Sequence, residues 1–359
     1  MYLTFNVGPS MVSEEVKKDV CEAANNNLLS LSHRHKDFLA IFQDARKNLT
    51  EFLSLPAGFT IYFVSSATEC MEIVGRNLVD KKSQHFVFGS FSKRFANTLK
   101  KIGKEVIVKE VESGCGFDYS CEEITDKEVE LAALTYTETP TGVSLIEEEL
   151  EVFRNKYPDI LIAVDIVSAA GAHKINFNLA DAWFFSVQKG FGLPAGLGVL
   201  IVNEKAKAKA LRMAEEGKDV GPVHSIASLE QYGVKDQTYE TPNVLGLYLL
   251  AKQAERFKNK GQEQIEAETR EKAEYLYAWA KEKGMEVHAK EEKYKALTVL
   301  CVKLPAGVTA EDFHKKLNAQ GIISGKGYKE MKETHFRLAN FPTLTLEDFK
   351  RLTKAIDEI

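Results

Sequence analysis

Two ionisable residues follow short apolar runs in the middle of the chain. Asp165 lies near the end of the run 160–167, and Lys189 follows the run 182–187. A partly desolvated lysine at the end of a buried strand tends to lose its proton and becomes a nucleophilic amine able to form a Schiff base. A nearby carboxylate is what a pyridinium nitrogen requires. Spacing alone favours a plainer interpretation, in which Lys189 caps a turn and Asp165 binds a backbone amide.

Two further segments have the composition of anion-binding sites. The cationic stretch around His33 and Arg34 lies between apolar segments, where an exposed loop is as good an explanation as a phosphate or carboxylate site. Residues 59–64 form a predicted strand, followed by Ser65-Ser66-Ala67-Thr68 and a helical run at 69–78. That order is suited to binding a phosphate through backbone N–H groups and the positive end of the helix. An ordinary capped helix accounts for the same residues equally well.

The elements that must position these residues alternate between strand and helix. Apolar runs at 160–167, 182–187 and 198–202 are typical of strands buried on both faces of a largely parallel sheet. Helical patterns fill most of the intervals, which predicts parallel strands joined by right-handed crossovers. Continuous helical sequence is predicted from 244 to 283. From about 285, shorter strands and helices predict a second α/β domain.

Length and composition exclude several classes of protein. The chain has 359 residues, 44% of them hydrophobic, and a net charge of −5, which gives no electrostatic reason to expect nucleic acid or anionic membranes as partners. No window approaches the roughly 18 consecutive apolar residues of a membrane span, and the amino terminus lacks signal-peptide features. Five scattered cysteines without a C-x-x-C pair predict reduced thiols in the cytoplasm and no zinc site.

The segment around Lys189 resembles a known family. Asp165, then Ser186-Val187-Gln188-Lys189, then Pro194-Ala195-Gly196-Leu197 are similar to the cofactor-lysine region of class V, fold-type I aminotransferases, and most of all of phosphoserine aminotransferases. The resemblance implies a large domain with a mostly parallel seven-stranded sheet flanked by helices, and a smaller C-terminal α/β domain. It also implies pyridoxal 5'-phosphate as cofactor, with Lys189 forming the Schiff base and Asp165 holding the ring nitrogen protonated.

The same resemblance implies the remaining cofactor contacts. The turn that holds the cofactor phosphate in the family contains glycines, whereas this chain has serine and alanine there. In one place Glu240 stands where asparagine is usual, next to a threonine that in the family reaches the partner subunit's cofactor. The complete set of implied cofactor-binding residues is Ser66, Ala67, Thr68, Phe91 (where tryptophan is common), Thr139, Asp165, Gln188, Lys189 and Thr241.

Substrate contacts and domain bounds follow from the resemblance as well. Arg337 matches the arginine that binds the substrate α-carboxylate, and His33 with Arg34 matches the phosphate-binding segment. The family's second His-Arg pair is missing, and Lys329 is the candidate to replace it. We expect a large domain at 13–250, and a small domain formed by 1–12 and 251–359. The resemblance also implies a homodimer with shared active sites, whose substrates are amino acids and 2-oxo acids.

The predicted function is therefore ping-pong transamination between phosphoserine and 2-oxoglutarate, in serine biosynthesis. Lys189 carries the cofactor and later moves the proton at the substrate Cα. An alanine- or serine–glyoxylate aminotransferase is the nearest alternative, because it needs no distal phosphate pocket. A non-catalytic protein of the same fold is another. A cysteine desulfurase is disfavoured, since Cys301 lies in an apolar strand and not in an exposed loop.

Overall fold

Strand pairing divides the chain between two main sheets in this computed structural model, which describes residues 2–359. The strands are β1 (Leu3–Phe5), β2 (Thr60–Val64), β3 (Lys82–Val87), β4 (Glu105–Glu110), β5 (Val129–Thr135), β6 (Thr137–Glu138), β7 (Val143–Ser144), β8 (Leu161–Asp165), β9 (Ala182–Ser186), β10 (Gly198–Val202), β11 (Val299–Lys303), β12 (Ile322–Lys326) and β13 (His335–Ala339). The helices are α1 (Glu14–Asn25), α2 (Lys36–Phe52), α3 (Ala67–Leu78), α4 (Ser90–Lys101), α5 (Glu147–Lys156), α6 (Glu204–Glu215), α7 (Ile226–Gly233), α8 (Val244–Lys260), α9 (Gln262–Glu282), α10 (Ala310–Ala319) and α11 (Leu346–Asp357).

The larger sheet has seven strands in the order β2-β10-β9-β8-β5-β3-β4. All its neighbouring pairs are parallel except those made by β10, which runs antiparallel to both β2 and β9. The predicted fold class, an α/β protein with a mostly parallel seven-stranded sheet, is confirmed. The reversed direction of β10 follows from its short connection to β9, which is too short for a parallel crossover.

Burial on both faces explains why these strands read as continuous apolar runs. In β9, Trp183 and Phe185 belong to the core on one face of the sheet, while Ala182 and Phe184 belong to the core on the other. Successive side chains of a strand point to opposite faces, so helices on both sides favour apolar residues at successive positions. In β8, β9 and β10 the polar residues are Asp165 and Ser186, which are the last residues of β8 and β9.

Helix boundaries follow local capping chemistry. Ser13 caps α1 by accepting a hydrogen bond from the N–H of Val16, and Ser66 caps α3 in the same way from the N–H of Glu69. The predicted continuous helix over 244–283 is wrong in one respect. Gly261 adopts φ +88°, which breaks the segment into α8 and α9.

The second sheet has four strands in the order β1-β12-β13-β11. The amino-terminal strand β1 pairs in parallel with β12, so the first residues of the chain join a sheet built from its last third. Helix α8 packs into the core of the large sheet, whereas α9 contributes Leu276 and Trp279 to the core of the small one. The predicted domain boundary at residue 250 falls within α8 and stays a prediction.

The two sheets meet at the short hairpin β6–β7. A Cβ atom on Gly142, in the turn of this hairpin, would lie only 2.9 Å from the carbonyl oxygen of Val299 in β11. Gly142 has φ +71°, a conformation that favours glycine. This close approach holds the small sheet against the carboxyl ends of the large sheet's parallel strands, where the candidate site lies.

Candidate active site

A cavity of about 340 Å³ opens where the carboxyl ends of the parallel strands face the small sheet. Ligands bind at this edge in open α/β sheets. Eight of the residues predicted from the sequence line the cavity. They are Ala67, Thr68, Phe91, Thr139, Asp165, Gln188, Lys189 and Arg337.

Lys189 is buried, with 7% of its surface exposed, in the loop that follows β9. Its Nζ donates hydrogen bonds to Thr139 Oγ1 at 2.8 Å and to Ser168 Oγ at 2.9 Å. Burial lowers the pKa of this amine well below that of an exposed lysine, although the negative charge of Asp165 opposes the shift. A lysine in this state has a larger neutral, nucleophilic fraction at neutral pH.

Asp165 is the last residue of β8 and is 3% exposed. Its Oδ1 accepts a hydrogen bond from the N–H of Val167 at 2.9 Å. Burial raises the pKa of this carboxyl, and the backbone hydrogen bond and the charge of Lys189 oppose the rise. A carboxylate buried in this way favours a cationic ring N–H as a partner, because pairing relieves its desolvation.

The amino-terminal segment braces the lysine loop, a feature that the sequence analysis missed. The N–H of Ser10 donates to the carbonyl of Gln188 at 2.9 Å, and its Oγ donates to the carbonyl of Lys189 at 2.7 Å. At Gly8, which has φ +140°, a Cβ atom would lie 3.0 Å from Lys189 Cε. Glycine at this position therefore leaves room for the lysine side chain.

The first turn of α3 lies against strand β10 and faces the cavity. The N–H of Ala67 donates to Ser186 Oγ at 2.7 Å. A Cβ atom on Gly198 would lie 2.5 Å from the backbone carbon of Ser66, so β10 passes the helix start as closely as glycine permits. Ala67 and Thr68 line the cavity, whereas Ser66 caps the helix behind it. A helix start in this position favours an anion.

Phe91 lies in the first turn of α4, and a buried carboxylate fixes the position of that turn. Glu138 accepts hydrogen bonds from the N–H of Phe91 at 3.2 Å and the N–H of Ser92 at 2.6 Å. The ring of Phe91 lies 5.3 Å from Lys189 Nζ and stacks on Tyr328, with 6.0 Å between ring centroids. Neither Glu138 nor the ring stack was predicted, because both depend on the hairpin β6–β7 and on the small sheet.

Arg337 reaches the cavity from β13 of the small sheet. Its Nε donates to the carbonyl of Lys326 at 2.8 Å, and Nη1 donates to the carbonyl of Thr139 at 3.3 Å. A guanidinium has five N–H donors, so these two bonds orient the group and leave others for a ligand. The arrangement suits a carboxylate bound side-on.

The other predicted residues lie outside the cavity of this chain. Arg34, Thr241 and Lys329 are exposed, and His33 is half-buried, with 6.3 Å between its ring centroid and that of Phe38. Lys329 has φ +50° and places Nζ 5.8 Å from the ring centroid of Tyr328, and it does not line the cavity. The predicted roles of these residues in binding stay predictions.

Glu240, the residue found where the family has asparagine, is turned into the protein. Its Oε2 is buried without a hydrogen-bond partner among residues 2–359, and burial raises the pKa of the carboxyl. The carbonyl of Glu240 accepts a hydrogen bond from Thr238 Oγ1 at 2.6 Å. The side chain thus packs inward while the neighbouring Thr241 remains exposed.

Within residues 2–359, no group of three or more histidine, cysteine, aspartate or glutamate side chains is arranged to hold a metal ion. The same part of the chain contains no helix long and apolar enough to cross a membrane.

The fold is that of aminotransferases. Ureidoglycine–glyoxylate aminotransferase from Bacillus subtilis superposes with a TM-score of 0.87, covering 100% of this chain and 92% of that one, at 19% sequence identity. The family profile described as aminotransferase class-V matches residues 2–339. The chain belongs to the class V aminotransferase family, and the protein is a transaminase.

More similar proteins share a narrower description. The crystal structure of a phosphoserine aminotransferase from Cytophaga hutchinsonii is 34% identical, with a TM-score of 0.96, and the match covers 99% of this chain and 98% of that one. A putative phosphoserine aminotransferase from Mycobacterium avium is 29% identical over 98% of this chain and 93% of its own length. Both likenesses extend over the two sheets and the cavity between them.

Proposed function

We propose that this transaminase transfers an amino group between O-phospho-L-serine and 2-oxoglutarate, a reaction of serine biosynthesis, with pyridoxal 5'-phosphate bound at Lys189. The observation that carries the chemistry is the presence of the Lys189 amine and the Arg337 guanidinium in one buried cavity. The substrate assignment is supported by the likeness to two proteins described as phosphoserine aminotransferases.

The residues present fit the cofactor. The desolvated Lys189 amine suits Schiff-base chemistry, and the buried Asp165 carboxylate suits a protonated ring nitrogen. The helix start at Ala67 and Thr68, kept open by Gly198, suits a phosphate. When bound, pyridoxal phosphate supplies an aldehyde that takes up the amino group and a ring that delocalises negative charge.

The side chains of the cavity divide the remaining work. Arg337 binds the substrate α-carboxylate and so orients the Cα–H bond toward Lys189. Lys189 Nζ takes the proton from the Cα of the amino donor and, in the second half-reaction, delivers a proton to the Cα of the amino acid formed from the 2-oxo acid. Phe91 offers an aromatic face to the cofactor ring, and Thr139 a hydroxyl to its oxygen. The phosphate site is completed by four residues of the same chain, Ser66, Ala67, Thr68 and Gln188, and by Thr241 of a second copy.

A homodimer completes this proposal. Arg34 and Thr241 are exposed on one chain, yet the resemblance assigns both of them to an active site. If a second copy presents its His33, Arg34 and Thr241 to the cavity of the first, these residues are both exposed on their own chain and part of an active site. We also infer a reducing, cytoplasmic location, since all five cysteines are free thiols and two of them, Cys21 and Cys121, are exposed.

Single-turnover spectroscopy of the cofactor-loaded protein tests the substrate assignment. The protein is mixed separately with O-phospho-L-serine, L-glutamate, L-alanine and L-serine, and the visible absorption band is followed. We expect phosphoserine and glutamate to bleach the band rapidly, and alanine and serine to do so slowly. Lys189→Ala should show no visible band and no reaction.

A different substrate order would redirect the assignment. If alanine or serine reacts faster than phosphoserine, the transaminase chemistry stands, but the phosphoserine proposal fails in favour of a glyoxylate-type enzyme. Normal turnover by Lys189→Ala would overturn the assignment of the reactive lysine.

A further inference from the structure

Arg94 lies in the cavity wall, although the resemblance gives it no role. It follows Phe91 by three residues in α4, so the two side chains lie on the same face of the helix. Both line the cavity together with Lys189 and Arg337. Its guanidinium carbon lies 4.9 Å from the centroid of the Phe91 ring, and Nη2 lies 3.4 Å from the hydroxyl of Tyr328.

Arg94 has no acidic partner within ion-pair distance in the described chain. The adjacent Lys93, in contrast, pairs with Glu110 at 3.0 Å and does not line the cavity. The first turn of α4 contains no acidic residue of its own, and the Glu138 carboxylate that meets this turn is bonded to Phe91 and Ser92 rather than to Arg94. A cation that faces a cavity without an acidic partner is typical of a binding residue.

The charge of Arg94 acts on the centre of the site. Burial is the main cause of the shifted pKa values of Asp165 and Lys189, and Arg94 is among the charges that lower both pKa values. The guanidinium is therefore close enough to influence groups at the cofactor position. Most of its N–H donors are free, since the contact with Tyr328 uses one nitrogen.

Tyr328 links the two arginines of the cavity. Its ring lies 5.5 Å from the guanidinium carbon of Arg337, and its hydroxyl contacts Arg94. A substrate whose α-carboxylate is held by Arg337 thus extends past this ring toward a second cation. Amino acids with an anionic side chain have charged groups at both ends and suit a cavity lined by two cations.

We propose that Arg94 binds the distal anionic group of both substrates, the phosphate of phosphoserine and the γ-carboxylate of glutamate, and so determines the preference for acidic amino acids. The proposal rests on the proposed function for the identity of these substrates. Tyr328 is the positioning residue that orients the Arg94 fork, and Lys329 lies outside the cavity lining. A planar fork suits both anions, because each presents two oxygens on one side.

The test compares ligands that differ only at the distal end. Wild-type holoenzyme, Arg94→Ala, Arg94→Lys and the matched control Lys93→Ala are assayed in single turnover with phosphoserine and with serine. Inhibition constants are measured for glutarate and for pentanoate, which have five carbons each but carry two carboxylates and one. The cofactor absorption band of each variant is recorded to verify that the site is intact.

We expect Arg94→Ala to lower kcat/KM for phosphoserine about 10- to 100-fold, the usual loss for one charge-assisted contact, with serine changed less than about threefold. Glutarate binding should weaken by a similar factor and pentanoate binding should not. The losses for Arg94→Lys should lie between those of wild type and Arg94→Ala, because lysine keeps a point charge but lacks the planar fork of donors. Lys93→Ala should behave as wild type.

Equal losses for charged and uncharged distal groups would overturn the proposal, since Arg94 would then act only through the Phe91 ring. Unchanged discrimination would overturn it as well. If wild-type enzyme does not react with phosphoserine, the proposed function fails. The comparison of glutarate with pentanoate then still decides whether Arg94 binds a distal anion.

Discussion

The two ionisable residues at the centre of the cavity are shifted in opposite directions by the same physical cause. Burial disfavours the charged form of each group, so it lowers the pKa of Lys189 and raises the pKa of Asp165. Their mutual attraction reduces both shifts. The result is an amine that loses its proton more readily than usual, as proton transfer at the substrate Cα requires, and a desolvated carboxylate that a protonated ring nitrogen would stabilise.

The lowered pKa of Lys189 predicts how cofactor binding depends on pH. Only the neutral amine attacks an aldehyde, so the rate at which apoprotein takes up pyridoxal phosphate should rise with pH and level off. We expect the midpoint well below the ordinary lysine pKa of about 10.4. Stopped-flow absorbance between pH 6 and 10 measures this rate.

Asp165→Asn provides the control for that profile. It removes the negative charge that favours protonated Lys189, so the midpoint should move to lower pH while the shape of the curve is kept. A wild-type midpoint at or above the ordinary lysine value would show that Lys189 is not desolvated in solution.

Burial also shifts the pKa of a cysteine that has no role in the proposed reaction. Cys301 lies in β11, where burial raises the pKa of its thiol to about 12. Such a thiol is unreactive at neutral pH. The sequence placed Cys301 correctly in an apolar strand, because a run of apolar residues indicates burial. It gave no signal for Ser168, whose hydroxyl contacts Lys189 only after the chain has folded.

At the scale of elements, the cavity depends on how closely strands and helix starts approach each other. Strand β10 passes the first turn of α3 at Gly198, and the α4 turn that carries Phe91 is held by Glu138. A Cβ atom on Gly89 would lie 2.5 Å from the carboxyl carbon of Glu138, so glycine is required there too. Small residues in these places keep two helix starts directed at one cavity.

Gly198→Ala tests the contact between β10 and α3. The added methyl group would lie 2.5 Å from the backbone of Ser66, so the helix start must move. We expect a loss of about 1–3 kcal/mol in the free energy of unfolding, as is usual for overpacking, and at least a tenfold weaker affinity for pyridoxal phosphate. Urea unfolding and fluorescence titration measure the two quantities.

Gly233→Ala is the matched substitution in open space. The nearest atom to its added Cβ would be a ring carbon of Tyr62 at 3.8 Å, so stability should change by less than about 1 kcal/mol and cofactor affinity should not change. If Gly198→Ala binds the cofactor as tightly as this control does, the α3 start does not hold the phosphate.

At the scale of the whole molecule, one chain brings together the proposed cofactor lysine and the proposed α-carboxylate arginine from different sheets. Lys189 follows β9 of the large sheet, and Arg337 lies on β13 of the small one. His33, Arg34 and Thr241 remain on the surface of the same chain, outside the cavity lining. A second copy is the simplest way to place them at a site, and this assignment can be tested directly.

Mixed dimers of Lys189→Ala and Arg34→Ala provide that test. If Arg34 serves the partner's cavity, each mixed dimer contains one intact site and one site with both defects. Random association of equal amounts should then restore roughly a quarter of wild-type activity with phosphoserine, whereas each variant alone has little. Activity is measured after dissociation and reassociation of the mixture.

The outcome separates shared sites from self-contained ones. If Arg34 serves its own chain, no mixed dimer contains an intact site, and the mixture should show only the average of the two variants. A monomeric protein on analytical ultracentrifugation would contradict the shared-site proposal without affecting the roles of Lys189 and Arg337.

The sequence by itself determined the fold class and, through the family resemblance, made Lys189 the candidate reactive lysine. Central strands buried on both faces are mostly apolar, so their ends are visible in the sequence, and Asp165 and Lys189 lie at or just after the ends of β8 and β9. A capped helix after β2 was also visible, because capping chemistry is local, although the helical run was placed at 69–78 and α3 begins at Ala67 with Ser66 as its cap. The break at Gly261 was missed, since one glycine within a strong helical pattern does not always end a helix.

Only the tertiary structure decided which distant residues share the cavity. Gly8, Arg94, Ser168 and Tyr328 come from separate segments of the chain and all line the cavity. Their types are ordinary for loops and helix surfaces, so no local pattern identifies them. The direction of a side chain toward a cavity is a property of packing between elements, and a linear sequence does not encode it at any single position.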